Sequence, residues 1–251
     1  MMHLLIRRVL IPAAIFAFLL AGFTAFGQTP PHDKPGPASD KLLFRAFDVD
    51  RASRDLQAGN MDLYMFGLKI DAAERLQRDD KFSLYQAPAS TVSLLLNPAS
   101  APRGELNPFS IPDVRRAVQF LINREFIAQD IYRGTASPMI SHVSPQDHDY
   151  LTVYDIEAAS GITFDPDYAR ALISEAMTDA GAKKEGGSWI FGGQPVRIKL
   201  IGRVEDERRN IADLLRAELE RVGFQVAVNY MPFAAAINSV YSTDPATFQW
   251  H

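Results

Sequence analysis

The stretch Val196–Tyr230, VRIKLIGRVEDERRNIADLLRAELERVGFQVAVNY, decides the fold class. Val196, Ile198 and Leu200 alternate with Arg197 and Lys199, the period-two pattern of a strand with one buried face. The period then changes, and from Glu205 to Val222 the residues Ile211, Leu214, Leu215, Leu219 and Val222 share one helical stripe, with Glu218 beside Leu219. Gly223 stops that helix, and Phe224 stands where a Schellman motif makes its hydrophobic contact. Gln225–Tyr230 reads as a second strand. Strand, helix, strand in one short run is a βαβ unit, so the two strands are expected to be parallel and the crossover right-handed. The class is α/β.

Working outward, Trp189–Phe191, Gly192–Gly193 and Pro195–Ile201 spell a hairpin with a primed turn. Upstream, Asp165–Pro166 supplies a cap followed by proline at the first helical position. That helix is expected to bury Ala169, Leu172, Ile173, Ala176 and Met177 and to stop at Gly181. Ser110 is expected to cap a helix whose stripe is Val114, Ala117, Val118, Leu121 and Ile122, with Arg115, Arg116 and Gln119 on the wet side. Asn123 caps a second helix that runs to Tyr132 and ends at Gly134. Downstream, Pro232–Val240 reads as a helix, and Thr247–His251 has the composition of a strand just begun. Nearer the amino terminus, Asp50–Ala58 and Asp71–Arg78 read as short helices. Asp62–Leu68, Lys81–Gln86 and Thr91–Leu96 read as strands, and Asn97–Pro108 as a crossing loop.

The chain opens with a different chemistry. Arg7 and Arg8 precede Val9–Phe26, which carries no charge, and the small residues Ala25 and Gly27 stand near a possible cut before Gln28. This is the pattern of a secretory signal, with an uncleaved membrane anchor as the rival. Both place the remainder outside the cytoplasm. Pro30, Pro31, Pro35 and Pro37 forbid regular structure in the leader that follows. The expected organisation is a signal at 1–27, a Pro-rich leader at 28–41, one lobe's segment at 42–98 and a second lobe at 99–251.

Composition excludes several functions. The 251 residues contain no Cys, which removes disulfide scaffolds, Cys-based zinc sites, iron–sulfur ligation and thiol catalysis. A net charge of −4 argues against a nucleic-acid coat. No G-x-S-x-G elbow, phosphate loop, dinucleotide fingerprint or H-E-x-x-H occurs. His142, Asp147, His148 and Asp149 make the one cluster with metal-ligand chemistry, but adjacent His148 and Asp149 diverge, and solvated loop side chains are the favoured reading. The run Arg203–Arg209, RVEDERR, suggests either an anion site or a solvated helix start, the latter favoured. Trp189 reads as core, while Trp250 is equally suited to core packing and to stacking on a ligand. No catalytic set assembles, and neither an enzyme nor a cofactor is expected.

The run Asn107–Pro138, NPFSIPDVRRAVQFLINREFIAQDIYRGTASP, resembles the signature stretch of the peptide/nickel class of extracytoplasmic solute-binding proteins, the receptors of ABC importers. Asn107, Pro108, Phe109, Asp113, Arg115, Arg116, Ala117, Arg124, Tyr132, Gly134, Ala136 and Pro138 carry the likeness, with Asn123 where the family has Asp. FDPDYARALISEAMTDAG and IADLLRAELERVGFQVAVN resemble later family segments, and GNMDLYMFGL and STVSLLLNP earlier ones. The resemblance implies a periplasmic-binding-protein-like fold of type II, bilobal, with the first lobe largely missing and the second incomplete at its carboxyl end. It implies a receptor for oligopeptide-like solutes, working with ABC permease subunits at the membrane and not with nucleic acid, in the periplasm or at the cell surface. Asn97 and Trp250 are placed nearest the implied cleft, and Tyr132 is assigned to packing. The alternatives are a lone lobe acting by protein–protein docking, a non-functional truncated product, and an exported metal-dependent hydrolase using His142 and His148.

Overall fold

The parallel unit forms as the sequence demands, and the remaining elements are arranged around it. A computed structural model describes residues 39–87 and 91–251. The expected signal at 1–27 and most of the leader lie outside the described residues. Phe47–His251 forms one compact unit. In chain order its helices and strands are α1 (Val49–Gln57), α2 (Ile70–Gln77), α3 (Pro112–Leu121), α4 (Arg124–Phe126), α5 (Tyr154–Ala159), α6 (Pro166–Asp179), β1 (Lys183–Glu185), β2 (Ser188–Phe191), β3 (Gln194–Pro195), β4 (Arg197–Arg203), α7 (Arg208–Arg221), β5 (Gln225–Met231) and α8 (Phe233–Tyr241). Short 3₁₀ turns lie at Pro108–Ser110, His148–Thr152 and Pro245–Thr247, and α4 runs on into a π turn at Ile127–Ile131.

β4 and β5 pair in parallel with Ile198 opposite Val226 and Leu200 opposite Val228. β1, β2 and β3 form an antiparallel ribbon in which Lys184 faces Trp189 and Ile190 faces Pro195. Gly192 and Gly193 turn that ribbon with φ of 57° and 77°, the left-handed pair a type I′ turn requires. The Schellman motif is complete: Phe224 N–H donates to Leu219 O at 3.2 Å and Gly223 N–H to Glu220 O at 3.0 Å. The main core joins α3, α6, the ribbon, β4 and the end of α7, with Val118, Ile173, Met177, Trp189, Ile198 and Val222 at its centre. Trp189 is core, as expected, and its indole N–H donates to Val222 O at 2.9 Å. A second cluster, centred on Leu200, Ile211 and Leu215, packs Tyr132 against its edge.

Several expectations are corrected. Asp62–Leu68, Lys81–Gln86 and Thr91–Leu96 form no strands, because no strand edge among the described residues pairs with them. Leu63, Met65 and Phe66 are accordingly exposed, not buried, while Leu94 and Leu96 still pack on the main core. Ser110 does not cap α3: its hydroxyl donates to Asn107 O at 2.8 Å. Ile111 holds the N-cap position without a side-chain bond. Pro112 at the first helical position has no N–H to satisfy, so little is lost. α7 starts at Arg208 and not at Glu205, because Asp206 turns back to accept the Arg208 N–H at 3.0 Å. Thr247–His251 is a turn and not a strand: Phe248 has φ 50°, and His251 N–H donates to Lys199 O at 3.0 Å beside β4.

Candidate functional site

In open parallel sheets, ligands sit beyond the carboxyl ends of the strands, where the chain turns into a helix and backbone N–H groups face outward. Here that place is the turn from β4 into α7. A cleft of about 350 Å³ opens at it, within the size range of small-molecule sites. Val204, Asp206, Glu207, Arg209 and Asn210 form one wall. Ile131 and Arg133, carried by the π turn and the loop after it, also line the cleft, as do Asp50, Lys69, Ile70 and Asp71 of α1–α2.

The wall charges are largely paired. Lys69 meets Asp50, Arg75 meets Asp71 at 2.9 Å, Arg203 meets Glu205 at 3.2 Å, and Arg208 meets Asp206. The hydrogen bond from Arg75 holds the Asp71 carboxyl below its ordinary range. Burial raises the Tyr132 phenol and lowers the Arg208 guanidinium, a shift that leaves the latter charged. Arg209 has no carboxylate partner among the described residues, and its guanidinium carbon lies 4.9 Å from the Tyr230 ring centre. Both signs of charge, a free cation and two apolar isoleucines suit a polar solute held by hydrogen bonds. Among the described residues the lining contains no His, Cys, Met or hydroxyl side chain, so it offers oxygen ligands and cations in place of soft metal ligands.

The residues singled out from sequence sit elsewhere. Asn97 is wholly buried. Its Nδ2 donates to Pro245 O at 2.9 Å and to Trp250 O at 3.1 Å, and its Oδ1 accepts the Ala99 N–H at 3.0 Å. Asn97 and Trp250 are therefore brought into direct contact, but neither lines the cleft. Asn107 ties the same loop, its Nδ2 donating to Asn97 O at 2.8 Å and Ala99 O at 2.9 Å. The Trp250 indole N–H is buried and has no partner among the described residues. His142 is exposed, and His148 and Asp149 lie in open solvent 3.3 Å apart. Among the described residues no three His, Cys, Asp or Glu side chains gather as a metal group. Tyr132 packs, as assigned. Sequence reasoning missed Asp50, Lys69, Asp71 and Arg133, which are distant in sequence. The signal it had was RVEDERR, which directly follows a parallel strand.

Comparison with known proteins bears on the family and the fold. The model of a family described as bacterial extracellular solute-binding proteins, family 5 Middle, matches residues 29–250. The nickel-binding periplasmic protein of Escherichia coli is 26% identical over 197 residues, 77% of this chain and 33% of that protein. Heme-binding protein A of Haemophilus influenzae is 24% identical over 195 residues, 78% of this chain and 29% of that protein. The chain thus spans about a third of the length of these curated relatives. Among solved structures, NikZ of Campylobacter jejuni in complex with Ni(L-His) superposes with a TM-score of 0.60 at 20% identity, covering 78% of this chain and 36% of that one. A periplasmic oligopeptide-binding protein of Thermotoga maritima with bound mannohexaose gives 0.61 at 20% identity, with the same coverage of 78% and 36%. These likenesses establish a shared α/β fold over that part of the relatives.

Proposed function

The chain belongs to the family 5 bacterial extracellular solute-binding proteins, and from that membership we propose that it serves an ABC importer as its receptor for oligopeptide-like solutes. The observation that carries the reading is the cleft beyond the carboxyl end of β4, walled by both signs of charge. A peptide brings a cationic amine, an anionic carboxylate and a backbone rich in donors and acceptors, which such walls complement. The relatives named above are described with nickel, haem, Ni(L-His) and mannohexaose, so the family's chemistry does not choose the solute. A lining without imidazole or thioether favours a peptide over a metal ion that prefers nitrogen or sulfur ligands.

In this proposal the lobes meet near 98/99, the 1–27 segment directs export to the periplasm or cell surface, and permease subunits receive the loaded receptor. Among the described residues no helix is long and apolar enough to cross a membrane. Asn97 holds the Trp250 carbonyl, and in this proposal the two residues support the fold while the cleft lining meets the solute. The test is calorimetric titration of the purified full chain with tri- to penta-alanine, Ni(L-His), haem and an oligomannose. Saturable binding of the peptides, weakened at least about tenfold by Arg209→Ala through loss of a charge-assisted hydrogen bond, is expected. Binding of Ni(L-His) or haem alone would reject the peptide reading, and binding of none would reject the receptor reading for this chain.

A second reading, a lobe that docks on another protein, is favoured by the exposure of Leu63, Met65 and Phe66, each more than 60% accessible. Capture of the same permease or receptor fragment by the parent but not by a Met65→Glu, Phe66→Glu variant is the expected outcome under that reading.

A further inference from the structure

The helix pair α1–α2 is attached to the rest of Phe47–His251 in an unusual way. Its buried apolar residues, Ala52, Ala72 and Leu76, belong to neither apolar cluster of the body. Among the described residues, two hydrogen-bonded contacts join the pair to the body. Ile70 N–H donates to Glu207 Oε1 at 2.9 Å, and Arg133 Nη1 donates to Glu74 Oε2 at 2.6 Å.

Each contact is specialised. Lys69, at the N-cap of α2, makes no side-chain cap bond, so Glu207 satisfies an orphan N–H of α2 from the other end of the chain. Its carboxylate also lies at the positive end of that helix. Arg133 adopts φ 49°, left-handed for a residue with a side chain, and Gly134 follows at φ 75°. Such backbone strain persists where surrounding contacts over-determine it, and here it aims the guanidinium at Glu74. Ile70, Arg133 and Glu207 are at the same time cleft-lining residues.

We infer that α1–α2 is a hinged flap over the cleft, held by a two-point polar latch made of Glu207 with the Ile70 N–H and Arg133 with Glu74. The Arg133–Glu74 pair is half exposed, and such pairs are weak and screened by salt, so this point of the latch yields first and without disturbing the body. A charged solute entering the cleft meets the same groups, which couples occupancy to flap position. The inference rests on these contacts and not on the receptor reading.

The test uses the full chain without solute. Because the chain contains no Cys, spin labels at Gln77→Cys on α2 and Glu220→Cys on α7 report the flap-to-body distance in a pulsed dipolar measurement. A single narrow distance is expected in the otherwise unchanged protein. Glu74→Gln with Glu207→Ala is expected to add a longer population, as is Glu74→Arg alone, and completing the charge swap by adding Arg133→Glu to Glu74→Arg to restore the narrow one. Raising salt from about 0.05 M to about 1 M is expected to bring out the longer population without further substitution. Distributions that stay narrow in both the double variant and high salt overturn the inference. Broadening that the charge swap fails to reverse overturns it equally.

Discussion

At the scale of single residues, the decisive groups are those whose hydrogen bonds leave them no alternative. Asn107 spends its amide on two backbone carbonyls and its Oδ1 on the Phe109 N–H at 3.0 Å. In turn Asn97 is fixed to Pro245 and Trp250. These two asparagines replace the ladder bonds that a loop lacks. His251 is bound just as tightly and is also titratable. Its Nδ1 accepts the Lys199 N–H at 3.2 Å, which only an unprotonated nitrogen can do. Burial, and then the Lys199 cation, push its pKa from the ordinary 6.5 to about 4. The native state therefore binds fewer protons than the unfolded chain between those two values, and stability rises with pH across that window. His251 stabilises fully above about pH 6.5, and its contribution falls as pH drops towards about 4. Urea midpoints at pH 7 and pH 5 are expected to differ more for the parent than for His251→Asn; equal differences would remove His251 from the account.

At the scale of elements, β4 on α7 shows what close packing demands. A Cβ at Gly202 would stand 2.9 Å from Ala212 Cβ and 3.1 Å from the Tyr230 ring. The strand and helix meet so closely that no methyl fits between them. Gly202→Ala is expected to cost about 1–3 kcal/mol through overpacking. Gly67, with nothing within 4 Å of its added Cβ, should tolerate alanine within about 0.5 kcal/mol. Denaturant midpoints of the two variants check this, and equal midpoints would show that the helix yields to the methyl.

The same elements explain what the sequence made legible. The Schellman end of α7, the Asp165 cap of α6 and the Gly192–Gly193 turn are each decided within about six residues, so local pattern specifies them. Met65 and Phe66 were misread because a strand exists only by pairing, and their apolar composition says nothing about a partner edge. Ser110 was misread because Asn107, three residues earlier, claims its hydroxyl. The cleft was half legible. RVEDERR followed a parallel strand, but Lys69 and Arg133 reach that place only through folding.

At the scale of the whole molecule, the body and the α1–α2 pair are held by different physics, and their stabilities should differ accordingly. The body buries Val118, Ile173, Met177, Trp189, Ile198 and Val222 in one cluster. No amide within it is freed without exposing much of that apolar surface. The pair's buried apolar residues are two alanines and one leucine, and it is otherwise joined by one part-buried and one exposed polar bond. Opening it exposes little and gains chain entropy, which sets a low opening free energy. Hydrogen exchange followed by mass spectrometry is therefore expected to show α2 amides exchanging at least about 100-fold faster than those of α6 and α7, equivalent to an opening free energy about 3 kcal/mol lower. Under high salt the α2 amides should exchange faster still, while α6 and α7 hold, because screening weakens the ion pair and leaves apolar burial intact. Uniform protection across α2, α6 and α7 would mean that Phe47–His251 unfolds as one cooperative whole. A flap on the cleft would then have no independent motion with which to report a solute.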